Sequence, residues 1–154
     1  MENSAAVSIH QAGMEDVESL APLFDAYRQF YDCPPDIPLA RAYLSERIGL
    51  GESTVFIAST GGGDLVGFTQ LYPTFCSVEA SPIFVLYDLY VSPASRQLGV
   101  GRALLAKAEE FGRANGASRL DLSTAKTNVK AQSVYESLGW VRDELFLQYS
   151  LPLA

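Results

Sequence analysis

The chain has 154 residues, 48% of them hydrophobic, and a formal net charge of −7. That length and apolar share predict one domain over residues 1–154 with a substantial core, and no run nears the roughly 20 apolar residues of a membrane span. The acidic balance opposes nucleic-acid binding and suits cationic small molecules or basic peptide tails, although solubility alone explains it equally well. Cys33 and Cys76 have no paired spacing with each other or with the single His10. This argues against a metal site or disulfide framework and for a reducing, cytoplasmic setting. Residues 1–4 lack the basic start and apolar stretch of a signal peptide, so no secretory leader is expected.

In chain order, residues 7–10 alternate enough for a first strand. A helical pattern follows Gly13, with Val17, Leu20, Leu23, Phe24 and Tyr27 on one face, Phe30 or Tyr31 extending it, and Pro22 in its first turns. Residues 33–38, Cys-Pro-Pro-Asp-Ile-Pro, read as a stiff connector. A second helix is expected from Leu39 to about Leu50, with Leu39, Tyr43 and Ile48 inward. Residues 54–59 and 65–72 read as strands joined by Thr60-Gly61-Gly62-Gly63-Asp64, a hairpin signal. With strands on both sides and no helix start, that triple glycine is a turn rather than a phosphate loop.

Residues 73–82 form a loop ahead of residues 83–91, which are apolar or aromatic except Asp88 and read as a strand buried on both faces. A glycine-bearing turn then leads into a helix from Gly101 to about Asn115, whose apolar face is Leu104, Leu105, Ala108 and Phe111. Gly116 ends it. A strand over residues 119–124 follows, then a helix from about Asn128 to Leu138 with Ala131, Val134, Tyr135 and Leu138 on one face. Residues 140–142 and 146–151 read as two closing strands.

The turn Arg96-Gln97-Leu98-Gly99-Val100-Gly101-Arg102 is where a ligand is expected. The first N–H groups of a helix have no intrahelical partner and carry the positive end of its dipole. Glycines 99 and 101 let a backbone approach closely and point several N–H groups into one concavity, which suits a phosphate or pyrophosphate. Arg96 and Arg102 flank it and offer charge-assisted bonds. A Walker A loop would need Gly-Lys-Ser/Thr where Gly101-Arg102-Ala103 stands. The dinucleotide fingerprint would need a third glycine at Leu104. A third pattern, Arg/Gln-x-x-Gly-x-Gly/Ala after a buried strand, is met in full by Arg96-x-x-Gly99-x-Gly101.

On that motif, and on the element order β-α-α-β-β-β-α-β-α-β-β, the chain resembles the GNAT superfamily of acetyl-CoA-dependent N-acetyltransferases over nearly its whole length. The resemblance implies an α/β (α+β) GNAT fold: one mixed, mostly antiparallel sheet of six to seven strands flanked by four helices and splayed at its central strands. It implies acetyl-CoA as cofactor, held at Arg96, Gln97, Leu98, Gly99, Val100, Gly101 and Arg102. The pantetheine arm would pair with the backbone of Leu89, Tyr90 and Val91 beside a bulge. Asn128 and Ala131, at the start of the following helix, would contact the cofactor. Tyr135, two turns on, would protonate the coenzyme A sulfur, whereas read alone it is a core aromatic.

Leu71-Tyr72-Pro73 and Asp88-Leu89-Tyr90-Val91 look most like the histone-and-polyamine, or diamine, acetyltransferase subgroup, in which a Glu precedes that Asp; here the position is Tyr87. An ionised carboxylate in an apolar strand is costly unless paired or hydrated. Asp88 reads as the catalytic base, as an anchor for the acceptor amine, or as a structural carboxylate bonded to a neighbouring loop, and a water chain can serve as base in its place. Acceptor contacts are expected from Tyr27, Tyr31 and Tyr72, with Asp32 and Asp36 as further candidates. The expected activity is acetyl transfer to a primary amine by direct attack in a ternary complex. The acceptor would be a small amine, a polyamine, or a lysine or N-terminal amine of a peptide. Two alternatives stand beside it: a non-catalytic sensor of acetyl-CoA or coenzyme A, for which Tyr87 in place of Glu leaves room, and an ATP-binding module, which lacks the phosphate-loop lysine. Residues 146–151 are apolar enough for a homodimer contact, and core packing explains them equally.

Overall fold

The computed structural model describes residues 6–154; residues 1–4, read above for a leader, lie outside the described residues. The chain forms two compact units, one running through Leu122 and the other beginning at Ser123. The first holds one sheet of five strands in the order β1-β2-β3-β4-β5. They are β1 (Ser8–Gln11), β2 (Thr54–Ser59), β3 (Leu65–Cys76), β4 (Ser81–Val91) and β5 (Leu120–Asp121). The first four pair antiparallel and β5 runs parallel to β4.

Helices α1 (Val17–Phe30) and α2 (Ile37–Gly49) cover one side of the sheet and α3 (Val100–Ala114) covers the other. Leu20, Phe24, Ala40 and Leu44 meet Val55, Ile57 and Phe68 in one core. Opposite, the Phe111 ring lies 5.5 Å from Phe56 and 5.0 Å from Phe84. Burial on both faces explains why β3 is apolar without alternation from Val66 to Phe68. Gly67 matters here. A Cβ on it would lie 3.0 Å from Tyr90 O, 3.1 Å from Val100 Cγ1 and 3.3 Å from Leu104 Cδ1. Its bare backbone therefore seats the first turn of α3 against the sheet.

Three boundaries differ from the sequence-based expectation. The loop expected over residues 73–82 is instead the far end of a long β3–β4 hairpin, in which Pro73 pairs with Phe84 and Pro82 with Phe75. Phe84 N–H donates to Arg119 O on the β5 side, so by alternation the Pro73 nitrogen points away from β4, past the end of β2 at Thr54–Leu71. No ladder bond is lost there. Helix α2 begins before Leu39: the Asp36 Oδ1 caps it by accepting Leu39 N–H at 3.0 Å, and Pro38 sits in the first turn, where its missing N–H is harmless. Its buried face is accordingly Ala40 and Leu44, with Leu39 and Tyr43 largely outward. The strand expected over residues 119–124 shortens to β5.

In the second unit, α4 (Val129–Ser137) is capped by Asn128, whose Oδ1 accepts Ala131 N–H at 3.2 Å. The two closing strands expected at residues 140–142 and 146–151 are not formed, so the sheet has five strands rather than six or seven among the described residues. Asp143 Oδ1 accepts the N–H groups of Leu145 and Phe146 at 2.8 and 3.1 Å, and Arg142 Nη2 ties back to Gln132 and Glu136 of α4. No helix among the described residues is long and apolar enough to cross a membrane.

Gly67→Val should lower stability by about 1–3 kcal/mol, the usual cost of overpacking a filled site. Chemical denaturation of the variant against the parent measures it, and an unchanged midpoint would mean α3 can shift off β3 freely.

Candidate active site

Strand β4 carries the site. Its pairing with β5 covers only Phe84 and Val85, and no strand among the described residues pairs with that edge further on. Bonded and non-bonded pairs alternate in an antiparallel ladder. Ser92 N–H donates to Val66 O at 2.8 Å. With Tyr90 opposite Phe68 and Asp88 opposite Gln70, those two residues turn their backbone groups to β3. Leu89 and Val91 therefore turn theirs to the open edge. Of the three residues expected to pair with a cofactor arm, Leu89 and Val91 offer backbone groups, while those of Tyr90 are committed to Phe68. The register shifts between Gln70 and Leu71, so Gln70 pairs with Asp88 and Leu71 with Leu86. Tyr87 is the extra residue of this bulge, which bends the strand and re-aims the residues that follow.

Beyond Val91 the chain makes one 3-10 turn, Pro93–Ser95, and enters two left-handed positions, Gln97 at φ 71° and Gly99 at φ 77°. Gly99 is the N-cap of α3, and Ala103 N–H bonds its carbonyl at 3.0 Å. The N–H groups of Val100, Gly101 and Arg102 thus lie at the turn with no intrahelical acceptor. A Cβ on Gly99 would meet nothing within 4 Å, and one on Gly101 only Val91 Cγ2 at 4.0 Å. Room for a ligand at backbone distance and unspent N–H donors fit a pyrophosphate. Arg96 is placed differently from the expectation of a second cationic flank. Its Nε donates to Val91 O at 2.9 Å, and its guanidinium carbon sits 5.6 Å from the Tyr90 ring centre and 5.8 Å from that of Phe30. It braces the turn against α1. Arg102 and Leu98 are exposed.

Asp88 is 7% exposed. Gln70 Nε2 donates to its Oδ2 at 2.9 Å, Thr69 Oγ1 donates to its backbone oxygen at 2.8 Å, and the Tyr27 hydroxyl faces the same carboxylate. Burial lifts its carboxyl above the usual carboxylate range, with Gln70 and Tyr27 pulling the other way. Burial and then the Asp88 charge push the Tyr27 hydroxyl up, so Tyr27 keeps its proton. The Tyr72 hydroxyl is also raised, by burial first and then by its bond to Tyr43. Tyr27 packs edge-on to Tyr31 at 5.3 Å, and Tyr72 edge-on to Tyr87 at 5.5 Å. The structure therefore brings Asp88, Tyr27, Tyr31 and Tyr72 to one region. Asp36 is spent on the α2 cap and on Asp25, whose Oδ1 accepts its N–H at 2.9 Å. Gln70 and Tyr43 belong to this region too and have no sequence motif; the one hint was a glutamine inside an apolar strand.

In the second unit, Asn128 and Ala131 are joined by the cap bond of α4, and the Tyr135 ring lies 6.1 Å from that of Trp140.

A bulged, half-open strand running into a glycine-lined helix start marks an acyltransferase that grips a coenzyme by its pyrophosphate and pantetheine parts. The chain belongs to the acetyltransferase (GNAT) family, whose model matches residues 20–140. It is 43% identical over 145 residues to YhfO, an uncharacterized N-acetyltransferase of Bacillus subtilis (strain 168), covering 94% of this chain and 97% of that one. It is 29% identical over 122 residues to an aminoglycoside N(6′)-acetyltransferase type 1 of Stenotrophomonas maltophilia, covering 77% and 80%. The crystal structure of a probable acetyltransferase superposes with a TM-score of 0.90 at 37% identity, covering 96% of this chain and 98% of that chain. The protein is thus an N-acetyltransferase that uses acetyl-CoA, and its fold is the GNAT fold.

Gly101→Asp should weaken binding of coenzyme A by roughly tenfold or more, about 1.4 kcal/mol. An acidic residue in the first turn suits the helix dipole, so the fold should hold while the anion cradle is filled. Titration calorimetry reads it, and unaltered affinity would place the pyrophosphate elsewhere. Asp88 binds its proton more tightly folded than unfolded, so its contribution to stability is present in acid and lost as pH rises through the folded pKa. Asp88→Asn should therefore melt higher than the parent at neutral pH, with the gap closing below the ordinary carboxylate range. A gap that widens toward acid would mean the buried carboxylate is stabilised rather than strained.

Proposed function

We propose that the protein acetylates a small amine bearing several cationic groups, the chemistry shared by polyamines and aminoglycosides, by direct attack in a ternary complex. The observation that carries this reading is the Asp88 carboxylate, buried among Tyr27, Gln70 and Tyr72 at the bulge of β4. The aromatic pairs Tyr27–Tyr31 and Tyr72–Tyr87 supply faces for a cation, and the net charge of −7 favours its approach. Similarity to an aminoglycoside acetyltransferase supports the same acceptor class.

Bound acetyl-CoA supplies the acetyl group as a thioester. The N–H groups at the start of α3 hold its pyrophosphate, and the open edge at Leu89 and Val91 holds the extended arm. A backbone N–H on that edge polarises the thioester carbonyl. Asp88 anchors the acceptor ammonium and takes its proton, as a carboxyl whose pKa is raised toward neutrality by burial can. As the C–N bond forms and the C–S bond breaks, Tyr135 gives its hydroxyl proton to the departing sulfur, and Asn128 and Ala131 contact the same cofactor.

Thiol release from acetyl-CoA across polyamines, aminoglycosides, amino acids, arylamines and lysine-rich peptides tests the reading. Strong turnover is expected with a polyamine or aminoglycoside, and Tyr135→Phe should lower it by roughly 10²–10⁴-fold with cofactor affinity held. A lysine peptide as the best acceptor would overturn the acceptor class, and undiminished turnover in Tyr135→Phe would remove Tyr135 as the acid.

A further inference from the structure

Gln70 is fully buried in β3, on the face of Phe68 and opposite Val55 of β2, which are themselves buried. It stands at the register shift, opposite Asp88. Its Nε2 donates to Asp88 Oδ2 at 2.9 Å, and its Oε1 has no hydrogen-bond partner among the described residues. A buried amide with one end unpaired works against stability, because the unpaired oxygen has given up water for nothing. For stability alone an apolar side chain of equal length is the better occupant. What the amide contributes is therefore to be sought at its paired end, and that end is Asp88.

Resting on the reading of Asp88 given above, we propose that Gln70 is a positioning residue for acetyl transfer, holding the Asp88 carboxylate in the direction and protonation state from which it takes the acceptor's proton. Thr69 and Gln70 act as a clamp of two neighbours: Thr69 Oγ1 fixes the Asp88 backbone oxygen and Gln70 fixes its side chain. The bulge at Tyr87 puts both bonds within reach, since it sets Asp88 rather than Tyr87 opposite Gln70. From α1, the Tyr27 hydroxyl faces the same carboxylate and its ring packs on Tyr31. From β3, Tyr72 feels the Asp88 charge, and Tyr87 of β4 acts on Tyr27. Among the described residues no cation figures in the groups acting on Asp88. Its affinity for a proton is set by burial against two neutral groups, Tyr27 and Gln70, of which Gln70 makes its hydrogen bond within the sheet. A donor to the charged form favours that form, so Gln70 works against burial and helps the carboxyl to lose its proton.

The test is Gln70→Met, which preserves length and removes the donor, with Gln70→Glu as a second variant of the same shape. Acetyl-CoA with spermidine and with a 2-deoxystreptamine aminoglycoside gives kcat/KM against pH. Carboxyl NMR of the ¹³C-aspartate-labelled protein follows Asp88 itself, its signal identified with Asp88→Asn. In Gln70→Met the Asp88 titration should move upward and the acid limb of kcat/KM should move with it. At a fixed pH on that limb the rate should fall roughly tenfold per unit of displacement and be regained above it, while the melting temperature is equal or higher. Gln70→Glu should move the titration further, because two carboxyls then share one site. An Asp88 signal that titrates unchanged in either variant overturns the proposal whatever the kinetics. So does a loss of rate that no pH restores and that tracks a lowered melting temperature. Asp88→Asn with full turnover and an intact acid limb would instead overturn the reading of Asp88 as base, a result separate from what Gln70 does to it.

Discussion

The shift of register between Gln70 and Leu71 is the constraint on which the site depends. Up to that point β3 and β4 form an ordinary hairpin, and β4 also holds β5 at Phe84 and Val85. One extra residue, Tyr87, resets the phase of everything after it. Asp88 turns to Gln70, and the backbone groups of Leu89 and Val91 turn to an edge that β5 no longer covers. Had the ladder run without the bulge, Tyr87 would stand opposite Gln70 and the acid would be out of reach of its clamp. A single local irregularity thus produces both an open backbone edge and a buried carboxylate held by Gln70.

The far end of β4 supplies the third part. Gly67 has no side chain because Tyr90 O, Val100 and Leu104 already fill the space, and this close approach aims the first turn of α3 along the line of the open edge. The backbone donors at Val100, Gly101 and Arg102 follow from it. Helix dipole, glycine spacing and strand direction are separate facts of the chain that agree on one anionic ligand.

Much of this was legible in the residues because it is local. The apolar run at 83–91, the glycines at 99 and 101 and the helical period after them are neighbours in sequence and need no partner to be read. The parts that were not legible depend on partners far away. Gln70 acquires its meaning from Asp88, 18 residues on. Pro73 reads as a breaker, and only the early end of β2 makes it tolerable inside a strand. Pro38 reads as the end of a connector until Asp36 is seen to cap the helix it begins. Residues 146–151 alternate like a strand, yet Asp143 takes the N–H groups at its start. Asn128 shows the reverse case: a position marked by the family motif is also an ordinary helix cap, and one residue serves both descriptions.

Arg96 carries a consequence for the order in which ligands act on one another. Its guanidinium binds the Val91 carbonyl at the cofactor edge and lies across the rings of Tyr90 and of Phe30 at the end of α1. Phe30 in turn packs on Tyr31 and Tyr31 on Tyr27, whose hydroxyl faces Asp88. The rings of Tyr27, Tyr31 and Phe30 thus form a chain of edge-on contacts that ends on one cation. Free energy transmitted along it has no preferred direction. Whatever factor a bound amine imposes on coenzyme affinity, the coenzyme imposes the same factor on the amine. In a bisubstrate enzyme that symmetry appears as heterotropic cooperativity at equilibrium, whichever substrate arrives first.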